Sequence, residues 1–94
     1  MRIRFHRDPE TDLPHIYEHD VTEMDVEQVM RRRGEDRAGA NGSRVAIGRT
    51  LAARILRVIY VRDADGEGIF VITAYELRGK PLMAYRRRKR RHLQ

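Results

Sequence analysis

Arg54-Ile55-Leu56-Arg57-Val58-Ile59-Tyr60-Val61-Arg62, then Asp63-Ala64-Asp65-Gly66, then Gly68-Ile69-Phe70-Val71-Ile72-Thr73-Ala74-Tyr75 is the part of this 94-residue chain that constrains its architecture most. The two outer segments are rich in β-branched and aromatic residues that suit a pleated surface, and the middle one carries the Asp and Gly of a hairpin turn. A link this short joins antiparallel strands. Arg44 to Thr50 has the same composition and a short Ala-containing link to Arg54, so it predicts a third strand of the same meander. The last strand is apolar on both alternations, Ile69, Val71 and Thr73 against Phe70, Ile72 and Ala74, which places it at the centre of a sheet or under cover on both sides. Ile47, Val58, Ile59, Val71 and Ile72 are therefore expected to be buried in one sheet.

Toward the N-terminus, Ile3 and Phe5 alternate with Arg2, Arg4 and His6, the pattern of an edge strand ahead of the Asp8-Pro9 break. Charged alternate positions discourage pairing with other edges. Residues 13 to 19 suit a short helix with Pro14 in its first turn. Thr22 reads as an N-cap with Asp25 three residues on, Val21 as a staple against Val26, and Val26, Val29 and Met30 as one apolar helical stripe. That helix is expected to end near Arg32-Arg33, with Gly34 as its stop. Glu35 to Ser43, with two Gly, an Asn and no periodicity, reads as a mobile loop. A last helix is expected from Pro81 into the basic tail. The sum is one α+β domain over residues 1–94: an antiparallel sheet of about four strands, with helices packed on one face.

Composition narrows the function classes. A hydrophobic fraction of 40% supports a single modest core, and the absence of Cys rules out a disulfide framework, a thiolate nucleophile and a thiolate metal site. No apolar run approaches the roughly 20 residues that span a bilayer, and Met1 to Phe5 lack the apolar stretch of a signal peptide, so the expected location is cytoplasmic. Charge is distributed unevenly. Of 20 Lys and Arg residues, eight fall after position 77, where there is no carboxylate: Arg78, Lys80 and the unbroken Arg86-Arg87-Arg88-Lys89-Arg90-Arg91. The remainder of the chain holds 12 basic against 14 acidic residues, so the net charge of +6 resides in this segment. Six contiguous cations leave no apolar face at any helical phase, and after Tyr85 only Leu93 has the character to join a core. The segment is expected to meet water or a polyanion: RNA or another nucleic acid first, an acidic partner protein second.

Three segments carry a resemblance. Tyr17-Glu18-His19-Asp20-Val21-Thr22 leads into an acidic amphipathic helix, Val45-Ala46-Ile47-Gly48-Arg49 precedes Leu56-Arg57-Val58-Ile59-Tyr60, and Val71-Ile72-Thr73-Ala74-Tyr75-Glu76 comes last. Their succession resembles small proteins of the BrnT-type toxin superfamily and a neighbouring uncharacterised family, which share a RelE-like α+β fold. The resemblance implies a bacterial ribonuclease toxin of a toxin–antitoxin pair, which cleaves RNA without a metal or cofactor and is neutralised by a small antitoxin protein. His19-Asp20-Val21-Thr22 stands where the family has a His-Gly-Val-Ser type turn, so His19 carries over. Tyr75 stands where the BrnT-type pattern has an Arg, and the final helix lacks the carboxylate of the family's Glu-Arg pair.

RNA cleavage without a metal requires a base for the 2′-hydroxyl proton, a cation for the phosphorane-like transition state and an acid for the leaving oxygen. Arg57 is the first candidate for the cation, because it interrupts the apolar stripe of Ile55, Ile59 and Val61. Three outcomes are open to it: snorkelling at a sheet edge, pairing with a helix carboxylate such as Glu27, or reaching a cleft. Tyr60, Tyr75 and Tyr85 serve either as core aromatics or as groups that position a base. His6, His15 and His19 are the imidazoles available for proton transfer, with His19 preferred. His15 and His19 are four apart, but the spacing offers no third ligand, so no metal is assigned. Asp63 and Asp65 read as turn residues. The connector Glu76-Leu77-Arg78-Gly79-Lys80 brings two cations to one sheet end, and the nucleic-acid-binding set is Arg78, Lys80, Arg86, Arg87, Arg88, Lys89, Arg90 and Arg91. Arg57, His19 and Tyr75 form the candidate catalytic set. The rival reading is a non-catalytic module that uses the basic helix to bind nucleic acid or a protein.

Overall fold

The computed structural model describes residues 1–93, with side chains to Arg91; Gln94 and the side chain of Leu93, expected to reach the core, lie outside the described residues. The chain is α+β. Five strands, β1 (Arg2–Phe5), β2 (Arg33–Ala38), β3 (Arg44–Arg49), β4 (Ile55–Arg62) and β5 (Gly68–Glu76), form one sheet in the order β1-β5-β4-β3-β2. The meander β3-β4-β5 is antiparallel, as its short links require, whereas β1 lies parallel to β5. Helix α1 spans Glu23–Arg31 and helix α2 spans Gly79–Leu93. No helix among the described residues is long and apolar enough to cross a membrane.

Alternation along the strands builds two cores. Ala46, Leu56, Val58, Tyr60, Val71 and Ala74 point to the side where Val26, Val29 and Met30 of α1 close the main core, joined by Ile16 and Val21. Thr22 caps α1 as expected: its hydroxyl accepts from the Asp25 amide at 3.2 Å and its own amide donates to the Asp25 carboxylate at 3.0 Å. The opposite alternation presents Ile47 and half-buried Ile55 to α2, whose Tyr85 and Leu82 form a second core with Leu77. The helices thus lie on both faces, not one. A helix that starts just beyond β5 with apolar residues at Leu82 and Tyr85 has an uncovered sheet face beside it, and covers it.

The segment read as a mobile loop, Glu35 to Ser43, is largely strand: β2 pairs with β3 from Arg33 to Ala38, and a short 3-10 turn at Ala40–Gly42 succeeds it. Its lack of apolar periodicity is explained by Asp36, which accepts bonds from Tyr60 (2.5 Å), Arg44 (2.9 Å) and Arg33 (2.9 Å) and so anchors the strand by ionic contacts. Gly34 is not the helix stop either. It lies in β2 where a Cβ would overlap the Tyr85 hydroxyl, so α2 can seat only on a glycine. Ile47, Val58 and Val71 are buried as expected, but Ile59 is half-buried and Ile72 is 37% exposed. A bulge accounts for Ile72: Ile59 pairs with Thr73 and Tyr60 with Val71, so Ile72 has no opposite residue.

Candidate functional site

α2 covers only part of its face of the sheet. Beyond it, Arg57, Ile59 and Val61 of β4 and Phe70, Thr73 and Tyr75 of β5 stay half-buried on an open face. Where β1 ends at Phe5, the chain leaves the sheet, and a 3-10 turn at His15–His19 packs beside the rest of β5. Ile16 enters the main core from this turn, while His15 and His19 remain outside it.

Three predicted residues meet there. Arg57 and Tyr75 are direct cross-strand partners, and Arg57 Nη1 donates to Tyr75 Oη at 3.4 Å. The His19 ring stands edge-on to that of Tyr75 at 6.1 Å between centroids. Arg57 pairs with no carboxylate among the described residues, and its buried Nε has no hydrogen-bond partner. Pairing with Glu27 is not available, because α1 lies on the other face. The side chain beside this guanidinium is thus a phenol and not a carboxylate. Three more aromatic groups extend the row: His15 lies 5.3 Å from His19 and 5.8 Å from His6, and His6 lies 6.5 Å from Phe70. Arg4 rests over the Phe70 ring at 5.5 Å.

Arg54 holds this arrangement together and was missed in the sequence. Its Nη1 donates to the Asp20 carbonyl at 2.8 Å and lies 3.6 Å from the Asp25 carboxylate, and its Nε donates to Glu76 at 3.2 Å. One side chain thereby ties the end of the histidine turn to the start of α1 and the end of β5. Asp20, in the left-handed conformation at φ 57°, closes the turn at the same point. The only signal in the sequence was an Arg at the head of a strand, which many surface residues share.

The remaining predicted cations divide into two groups. Arg78 is 81% exposed and shares Glu76 with Arg54, and Lys80 is exposed. Arg86, Arg87, Arg90 and Arg91 also face solvent. Arg88 instead makes a two-pronged pair with Glu35, and Lys89 is half-buried. Lys89 lines a groove of about 860 Å³ with Arg31, Arg32, Arg49, Ile55 and Tyr85. No carboxylate among the described residues lines it. Tyr60 is structural: it is fully buried on Asp36, and burial followed by that bond pushes its hydroxyl pKa up. Tyr85 is likewise buried, and burial raises its pKa. Asp63 does more than turn the chain, since it pairs with Arg2 and Arg4 of β1. No family model, curated protein or solved structure matches this chain.

Proposed function

We propose that the open sheet face binds RNA and cleaves it without a metal, in the manner of a BrnT-type toxin. The observation that carries this reading is the convergence of Arg57, Tyr75 and His19 around a guanidinium that no carboxylate neutralises. In this mechanism His19 takes the proton of a ribose 2′-hydroxyl, whose oxygen attacks the adjacent phosphorus. Arg57 stabilises the charge that grows on the phosphorane oxygens. Tyr75 accepts from Arg57, which leaves its own O–H free to donate toward the phosphate and the departing 5′-oxygen. The P–O5′ bond breaks, giving a 2′,3′-cyclic phosphate and a 5′-hydroxyl. Phe70 and the neighbouring imidazoles offer faces on which bases stack. The exposed cations of α2 supply phosphate contacts along the same side of the sheet.

The test is RNA incubated with the full chain in the presence of a chelator. Expected are cyclic-phosphate ends, growth arrest on induction in bacteria, and loss of both in Arg57→Ala. His19→Ala should slow cleavage by roughly 100-fold or more, the usual contribution of a positioned proton-transfer group. Intact RNA and harmless expression would reject catalysis.

A second reading, a protein-interaction module, is favoured by the groove beside Lys89. Half-buried Ile55 and the exposed Leu51 give it apolar surface, and Arg31, Arg32, Arg49 and Lys89 make its lining cationic, a match for an acidic amphipathic partner such as an antitoxin segment. Binding of a Glu-rich amphipathic peptide that Arg31→Glu and Lys89→Glu abolish, with RNA untouched, would select this reading.

A further inference from the structure

Residues 6–15 form a closed loop on a ladder of their own. The His15 amide donates to the His6 carbonyl at 2.8 Å, the Asp8 amide to the Leu13 carbonyl at 3.0 Å, and Arg7 and Pro14 face each other as an isolated antiparallel bridge. Asp12 takes the left-handed conformation at φ 56° to close the loop, and its amide donates to the Asp8 carbonyl at 2.8 Å. The two arms are thereby fixed side by side. Asp8 from one and His15 from the other come together, with Asp8 Oδ1 2.9 Å from His15 Nδ1. Glu18, one 3-10 turn further on, places Oε2 3.8 Å from the same nitrogen. All three donor atoms lie within 4.8 Å of one another.

We propose that Asp8, His15 and Glu18 form a binding site for a divalent first-row transition metal, with Zn²⁺ as the fitting ion. Zinc ligands at about 2.0–2.1 Å in a tetrahedron stand roughly 3.4 Å apart. The separations of 2.9 Å and 3.8 Å from His15 fall on either side of that value, and Asp8 and Glu18 lie within 4.8 Å of each other, so rotation of the two carboxylate side chains brings the three ligands toward it. Two carboxylates and a neutral imidazole also match a dication in charge. The imidazole nitrogen and the small number of oxygens argue against Ca²⁺ and Mg²⁺, which favour six or more oxygen ligands including water. Three protein ligands leave the fourth position to water. The cation of the loop, Arg7, is directed elsewhere: its Nη1 donates to the Asp12 carbonyl at 2.5 Å. The spacing His15-x-x-Glu18 alone is too common to signal a site. Its third member becomes available only because the loop returns Asp8 to His15.

The site does not depend on RNA cleavage and is tested separately. The metal-free full chain is titrated with Zn²⁺ against a chromophoric chelator, while the His15 imidazole resonances are followed by NMR. Expected are one Zn²⁺ per chain, perturbation of His15, and loss of affinity by about tenfold or more in His15→Ala and Asp8→Asn. Glu18 is exposed and outside the core, so Glu18→Gln preserves the fold and should also weaken binding severalfold. Glu10→Gln, an exposed acid of the same loop, should leave affinity unchanged. Absence of saturable binding at one equivalent would overturn the site. So would affinity undiminished from the unsubstituted chain in both His15→Ala and Glu18→Gln, which would assign the metal to other residues.

Discussion

Arg88 and Glu35, 53 positions apart, are joined by two charge-assisted hydrogen bonds: Nε to Oε2 at 2.6 Å and Nη2 to Oε1 at 3.1 Å. The basic run is therefore a helix docked by its middle onto β2, and Arg88 has a place in the fold that its neighbours lack. The bond to Glu35 raises the Arg88 pKa further, so the guanidinium stays charged at any physiological pH. Because Arg88 is 39% exposed, the pair is partly screened, and Arg88→Ala should cost about 1 kcal/mol. Arg87→Ala and Arg90→Ala should change stability little. Urea denaturation of the three variants separates these outcomes, and an equal effect at all three positions would refute the docking role.

Tyr60 and Asp36 set a pH window for stability. Burial alone would push the Asp36 carboxyl up, but bonds from Tyr60 and Arg44 and the charges of Arg44 and Arg33 outweigh it, so its pKa lies below the usual 3.8. A depressed carboxylate stabilises the fold above its unfolded pKa and loses that contribution as pH falls through the folded value. The loss should begin below about pH 4. The raised hydroxyls of Tyr60 and Tyr85 act in the opposite direction, with their contribution intact below about pH 10 and lost as pH rises through their folded values. Asp36→Asn should flatten the acid limb of a stability–pH profile. Tyr60→Phe should cost roughly 1.5–3 kcal/mol, as expected for a bond to a charged group, and flatten the alkaline limb.

Gly34→Ala should be among the most damaging single-methyl additions in the chain. The new carbon meets the Tyr85 hydroxyl, so α2 must lift or β2 must shift, at about 1–3 kcal/mol. A Tyr85→Phe partner substitution removes the obstructing oxygen and should recover part of the loss in a thermal melt. No recovery would mean that the glycine is needed for another reason.

Arg54→Ala should loosen the histidine turn without unfolding the sheet. With the bonds to Asp20 and Glu76 gone, the amides of residues 15–21 should exchange with solvent faster than those of β4 and β5. Uniform acceleration across the molecule would instead mark Arg54 as a general stabiliser. If RNA is cleaved, the rate should fall with it, since His19 would no longer be held against Tyr75.

Salt dependence tests the solvent-facing cations of α2. Replacing Arg86, Arg87, Arg90 and Arg91 by Gln removes four exposed charges and keeps the Arg88–Glu35 pair. The slope of log affinity for single-stranded RNA against log salt should become shallower by roughly three, at about 0.7 per phosphate contact. An unchanged slope would exclude these residues from the RNA path.

Local spacing was enough to set the antiparallel meander, through its short polar links, and the start of α1, through Thr22 with Asp25. Alternation likewise put Arg57 on one face with Ile55, Ile59 and Val61. The residue types of Arg57, His19 and Tyr75 were enough to make them candidates, but the contact of Tyr75 with both of the others is a property of the fold. Long-range partners lie beyond the reach of sequence, because they depend on which segments the sheet brings side by side. β2 reads as a loop since its anchor is Asp36, whose partners Tyr60 and Arg44 arrive from other strands. The parallel entry of β1, the bulge at Ile72, the hold of Arg54 on Asp20 and the return of Asp8 to His15 are equally products of tertiary pairing. A period of two tells which way a side chain points, but only closure of the chain decides what it meets.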